Sequence, residues 1–158
     1  MASIDPALFI AALDKAHTSS EGGRLLTAIG ISEADLQENP METVGHRMYE
    51  DEARGIQLDF VDEGKRRKTP IHDIGEGPWV LFQFYFMSGA AGGGRYAGAL
   101  PYGITFDMTR ADLAKLLGAP TSSNPMVELW QKEDHRVSVN FDRKSGAIKA
   151  VGVQAPLE

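Results

Sequence analysis

The stretch from Gly89 to Gly94 has the G-x-x-x-x-G spacing of a phosphate-binding loop and follows a strand-like segment. A working loop of that kind continues with Lys and Ser or Thr and opens a helix whose N–H groups hold phosphate. Here Arg95 and Tyr96 follow, then Leu100-Pro101, which does not start a helix. The stretch therefore reads as a linker or contact loop. His72, Asp73 and Glu76 lie close enough in sequence to meet a divalent ion, but no second ligand pair has metal-protease spacing, and a solvated loop is the better account. Glu50, Asp51, Glu52 and Asp59 offer carboxylates for acid–base work. Adjacent carboxylates at a strand entrance read first as a solvated face and, if functional, as a surface that meets a basic partner. Lys65, Arg66, Arg67 and Lys68 form too short a basic run, with too few aromatics, for a nucleic-acid platform, and suit an exposed hairpin tip. The chain has no cysteine and no serine in a nucleophile-elbow motif. We expect no enzyme activity, no cofactor and no metal.

Charge is unevenly spread over the 158 residues. The net charge is −6, yet residues 1–63 hold 13 acids against 4 bases, whereas residues 100–158 hold seven of each. An acidic surface repels phosphate backbones and speeds encounter with basic proteins, so nucleic acid is disfavoured as a partner. The longest apolar run, Trp79 to Met87, is strand-length and far short of a membrane span. The opening Met-Ala-Ser-Ile-Asp-Pro lacks the basic flank and apolar stretch of a secretory signal. With the absence of cysteine, this points to a cytoplasmic protein that contacts no membrane.

The elements that must position these residues follow from periodicity. Asp5 and Pro6 start a helix expected to run to about His17. Gly22-Gly23 is expected to interrupt before a second short helix, Arg24 to Ile29, closed by Gly30. Ile56, Leu58 and Phe60 alternate with Gln57 and Asp59, as in a half-buried strand. Trp79 to Phe86 is apolar on both faces, which predicts cover on both. Thr109 to Asp112 has a capping pattern for a helix whose apolar face is Leu113, Leu116 and Leu117, stopped by Gly118-Ala-Pro120. Val137, Val139 and Phe141 alternate with Ser138 and Asn140. In the last strand, Ile148, Ala150 and Gly152 are expected on one face, with Val151 and Val153 on the other.

The halves of the chain can be laid over each other. Leu25 and Ile29 before Gly30 match Leu113 and Leu117 before Gly118, and Ile56-x-Leu58-x-Phe60 matches Val137-x-Val139-x-Phe141. Tyr49 and Trp130 each stand seven residues before those strands, and 79–86 matches 147–153. The expectation is an α+β fold of two tandem helix-then-antiparallel-sheet units, with helices packed on one face of the sheet. Its parts would be 1–88 with an insertion at 65–78, a Gly-rich linker at 89–99, and 100–156.

Asp107-Met-Thr-Arg-Ala-Asp-Leu-Ala-Lys-Leu-Leu-Gly-Ala-Pro120, followed by Trp130 and a Val-x-Val-x-Phe-Asp strand, resembles two related groups. These are the small helix-plus-three-strand outer-membrane assembly lipoproteins and the β-lactamase-inhibitor-like fold, which doubles that unit. The preceding Tyr96-Ala-Gly-Ala-Leu-Pro-Tyr-Gly-Ile104 resembles small bacterial proteins found beside secreted toxins and thought to be their immunity proteins. The resemblance is convincing over about 84–153 and rests on packing and turn residues, which speak to fold more than function. It implies a binding protein that neutralises a cognate toxin. Glu50, Asp51, Glu52, Asp59 and Asp62 would meet a basic surface, and Tyr96 and Tyr102 on mobile loops would anchor it. Trp79 and Trp130 are assigned to the core. An envelope scaffold is the alternative and an enzyme of unrecognised type a third. The chain lacks the lipoproteins' amino-terminal cysteine, which favours the soluble inhibitor.

Overall fold

A computed structural model describes residues 4–68 and 73–156; His72 lies outside them. Four short helices, α1 (Pro6–Ala12), α2 (Ser20–Ile29), α3 (Glu63–Arg67) and α4 (Arg110–Leu117), accompany eight strands. The strands are β1 (Gln37–Glu38), β2 (His46–Asp51), β3 (Ile56–Asp62), β4 (Trp79–Met87), β5 (Ser122–Ser123), β6 (Val127–Gln131), β7 (Arg136–Phe141) and β8 (Ile148–Gln154). They form one antiparallel sheet in the order β1-β2-β3-β4-β8-β7-β6-β5. This overturns the expected pair of tandem helix-then-sheet units. β4 and β8 pair from Gln83↔Gln154 to Met87↔Ala150, so the two halves share one sheet and one hydrophobic cluster. Period-2 alternation identifies a strand but not the neighbour that satisfies its second edge.

Helices covering one face were also expected, but the fold is richer in sheet than that. The apolar cluster draws on loop residues Leu36, Tyr96, Leu100, Ile104 and Phe106 as well as on helices. From α1, Phe9 packs against Phe84 at 5.3 Å and Phe86 at 4.9 Å between ring centroids. That helix begins as the sequence suggests, with Asp5 accepting from the Ala7 N–H at 2.9 Å, but ends at Ala12. Gly22 and Gly23 do not interrupt α2; they lie inside it. A Cβ at Gly22 would stand 2.2 Å from the Ala16 carbonyl oxygen, so glycine here permits close backbone packing at a cost in helix propensity. In α4 the capping box forms between Thr109 and Asp112, Leu113 is buried, and Leu116 is exposed.

Bulges adjust which face each strand end presents. One between Asn140 and Phe141 lets Ile148 join the core with Val151 and Val153, while Ala150 and Gly152 face the other way. In β4, Phe84 and Phe86 enter the core, but Gln83 and Tyr85 lie on the opposite face. That strand is therefore not covered by apolar layers on both sides.

Asp62 was expected to face a partner and is instead completely buried. Its Oδ1 accepts from the N–H groups of Gly64 and Lys65, and its Oδ2 from those of Gly75 and Gly77. The carboxylate caps α3 and ties the segment beyond it to the end of β3. The basic run is consequently a helix and not a hairpin tip, with Arg66 and Arg67 both reaching Asp14 at 3.1 Å. Burial opposes the Asp62 charge, but its backbone amide partners outweigh it and hold the carboxyl below its ordinary range. Asp62→Asn sets an amide nitrogen against backbone donors and should lower unfolding stability at pH 7 by about 2–3 kcal/mol. Because the folded-state pKa is depressed, this contribution is present above about pH 4 and fades as pH falls through the folded value. Denaturant titration of both chains should show their stabilities converging in acid; a constant gap from pH 7 downwards would contradict this role.

Candidate functional site

Pairing across the sheet sorts the side chains into two faces. Tyr49, Leu58, Phe84, Val153, Val137 and Trp130 stand opposite one another on the core face. One residue along, Met48, Asp59, Gln83, Gln154, Arg136 and Gln131 form the matching row on the other face. Glu50, Gln57, Tyr85, Gly152, Ser138 and Leu129 form a second such row. The two rows carry a connected polar network. Gln57 and Gln83 donate to the Asp59 carboxylate, the latter at 2.8 Å. The Tyr85 hydroxyl donates to Gln83 Oε1 at 3.4 Å. Gln154 Nε2 donates to Tyr85 at 3.3 Å and to Ser138 Oγ at 2.8 Å. The chain of contacts spans β3, β4, β8 and β7. Gly152 makes room for it, since a Cβ there would lie 2.4 Å from the Tyr85 ring.

At the β7 end of this row two polar atoms are buried without a partner, Gln154 Oε1 and Arg136 Nε. The residues that carry them line a cleft of about 530 Å³ together with Gln83, Tyr85, Asn140 and Lys149, with Met126, Val127 and Leu129 as its apolar side. Native interiors rarely leave such atoms unmet, which sets this end of the row apart from the satisfied network beside it. The arrangement can bind and orient; it contains no nucleophile paired with a base.

Of the residues singled out in the sequence, Glu50 and Asp59 stand on this uncovered face. Glu50 is exposed opposite Gln57, and Asp59 is only 3% exposed within the network. Burial pushes the Asp59 carboxyl above its ordinary range, with the amide bonds from Gln83 and Gln57 opposing and the charges of Glu42 and Glu50 adding to the rise. Buried within the network, Asp59 does not face a partner's surface. Asp51 serves Arg54, which donates to it at 2.6 Å and also reaches the Ile29 carbonyl. The Arg54 hydrogen bond outweighs burial and lowers the Asp51 carboxyl. Glu52 is exposed beyond the end of β2.

Within the glycine-rich segment, Gly94 and Tyr96 pack against the rest of the chain while residues 90–93 are exposed. The Gly94 N–H donates to Glu52 O at 2.8 Å, and a Cβ at Gly94 would stand 1.9 Å from Ala53 O. Tyr96 is 7% exposed, with its ring 4.4 Å from that of Phe86, so it is a core residue and no surface anchor. Tyr102 is 38% exposed at φ 62°, and its hydroxyl meets His135 Nε2. His135 Nδ1 lies 2.6 Å from Asp134. This Tyr–His–Asp series invites comparison with a catalytic relay, but burial and the Asp134 charge push the Tyr102 phenol up, opposite to what a nucleophile needs. It fastens the 101–103 turn to the β6–β7 hairpin. Trp79 and Trp130 are buried, as expected.

Sequence reasoning missed Gln83, Tyr85, Arg136 and Gln154. Gln83 and Tyr85 lie in a strand read as apolar on both faces, and Arg136 and Gln154 stand at strand ends, just outside the alternations read there. Among the described residues no group of three or more His, Asp or Glu could hold a metal ion, and no helix is long and apolar enough to cross a membrane.

The network yields a test. Asp59 has a raised folded pKa, so its favourable contribution is full below the ordinary value and is lost as pH rises. Asp59→Asn keeps the amide contacts if Gln57 turns its own amide, and should stabilise the chain at pH 7 by about 1 kcal/mol. Thermal unfolding should show that gain vanish below about pH 4. A destabilised variant at pH 7 would mean that the ionised carboxylate is required.

No family model and no curated protein matches the sequence. Among solved structures, the chain is similar to an extracellular protein containing an SCP domain from Bacillus anthracis str. Ames, with a TM-score of 0.58 and 10% identity. The alignment covers 98% of this chain and 48% of that one, so this chain spans about half the length of the protein it matches. At that identity the likeness speaks to the fold alone.

Proposed function

We propose that this chain is a protein-binding domain that neutralises its partner through the uncovered face of the sheet. The observation that carries this reading is the polar row ending in the unpartnered Arg136 and Gln154 beside a cleft with an apolar wall. Recognition surfaces combine a desolvated centre with a polar surround, and Tyr and Arg dominate their energetics. Tyr85 and Arg136 supply that centre here. The finer reading, immunity against a bacterial toxin from within the cytoplasm, rests on the resemblance of Tyr96–Ile104 and the 107–120 helix region. The contact surface differs from the sequence expectation, because Asp62 and Tyr96 are buried and Asp51 is engaged by Arg54.

The second reading, an envelope scaffold, rests on the resemblance of the 107–120 region to the outer-membrane assembly lipoproteins. Cell fractionation separates the two readings.

The test of the first is co-expression with a secreted effector encoded beside this chain. We expect rescue of growth and a direct complex measurable by calorimetry. Tyr85→Ala or Arg136→Ala should weaken it by about 30-fold or more, the scale of a hot-spot residue. Lys115→Ala on α4 should leave it unchanged. Sensitivity at Lys115 with indifference at Tyr85 and Arg136 would move the interface off the sheet, and lack of rescue would remove the immunity reading.

A further inference from the structure

We infer that the cleft bordered by β6, β7 and β8 receives a carboxylate of the protein partner, with Arg136 as its cation. This rests on the reading of the uncovered face as the binding surface. Arg136 lies in the middle of a cross-strand row, opposite Gln154 on β8 and Gln131 on β6. Its Nε is buried without an acceptor, and among the described residues no acid pairs with it. An Arg in this position offers a planar donor set to an acceptor of matching geometry.

Charge selects the sign of the occupant. The chain carries −6 overall, yet Arg136 and Lys149 line the cleft while no Asp or Glu among the described residues does. The acidic members of this face, Glu50 and Asp59, belong to β2 and β3, on the far side of β4 and β8 from Arg136. A partner carboxylate therefore meets a local cationic site on an acidic protein, the reverse of the basic partner surface that composition alone suggests.

Gln154 narrows the choice further. It is 7% exposed, its Nε2 is committed to Ser138 and Tyr85, and its Oε1 has no donor. Both orphan atoms are closed to solvent as the side chains stand, so an occupant that satisfies them turns Arg136 and Gln154 toward the cleft, bringing an acceptor to the guanidinium and an N–H to the Gln154 amide oxygen. A peptide-borne carboxylate does so, as at a chain terminus, where the acid and its own backbone N–H lie close together. Inorganic phosphate also brings a P–OH donor, but no apolar group. Met126, Val127 and Leu129 give an apolar wall for the accompanying side chain.

The experiment needs no knowledge of the partner. The full chain is titrated with N-acetylleucine, N-acetylleucinamide and inorganic phosphate up to about 50 mM, a range suited to millimolar affinities. The Arg136 Nε–H and Gln154 side-chain resonances are followed by NMR. We expect N-acetylleucine to shift both and to bind about tenfold more tightly than its amide, as a charge-assisted bond exceeds a neutral one. Arg136→Gln should abolish the Gln154 response while the amide spectrum remains that of the folded chain. Equal binding of acid and amide, preference for phosphate, or no response would overturn the inference. If that happens while the partner complex still depends on Tyr85, the face stands and only the carboxylate is lost; if both fail, the face itself is wrong.

Discussion

Nine residues of β4 carry backbone donors and acceptors along two edges, and both edges run through the middle of the sheet. Buried amides and carbonyls must be paired, so the strand needs a neighbour on each side. β3 supplies one; on the other, β8 pairs Gln83 to Met87, and residues 14–17 bond the backbone of Trp79 and Leu81. The β4–β8 seam sets Phe84 and Phe86 beside Val153 and Val151 in the core, and on the opposite face sets Tyr85 over Gly152. The core and the candidate site are thus two sides of one register. A slip of one residue would exchange them.

That register explains how a polar face becomes specific. Alternation places Gln57, Asp59, Gln83, Gln154 and Ser138 where they satisfy each other, across four strands that are not all neighbours in sequence. Low solvent access strengthens such a network and makes its unfilled ends costly. Burial holds the Asp59 carboxyl above its ordinary range, whereas Arg136 Nε is left without an acceptor. The same face therefore presents a muted carboxylate at one end and an unpaired cation at the other.

Loops complete what short helices cannot. Helices of five to ten residues bury little alone. Leu36, Leu100, Ile104 and Phe106 extend the cover over the sheet. Polar anchors hold these segments in place: Asp62 gathers the N–H groups of Gly64, Lys65, Gly75 and Gly77, Arg54 bridges Asp51 to the end of α2, and Gly94 lies against Ala53. Several acids of the electronegative first half are consequently spent on internal order.

The strands β3, β4, β7 and β8, the caps of α1 and α4, and the burial of both tryptophans were legible in the sequence, because period-2 alternation, Asp5-Pro6 and Thr109-x-x-Asp112 act over a few residues. The polar face was legible only as polar. Whether Gln83 meets Asp59, or Arg136 is left unpaired, depends on which strands become neighbours. The joining of the halves was equally invisible, since hydrogen bonding between β4 and β8 uses backbone groups that every sequence possesses. Charge counting misled for the same reason: Asp59 and Asp62 count fully in composition, but one is buried among amides and the other among backbone N–H groups. Local chemistry determined the elements of this protein. Tertiary structure decided which side chains remain open to a partner, because burial and pairing belong to contacts between residues far apart in the chain.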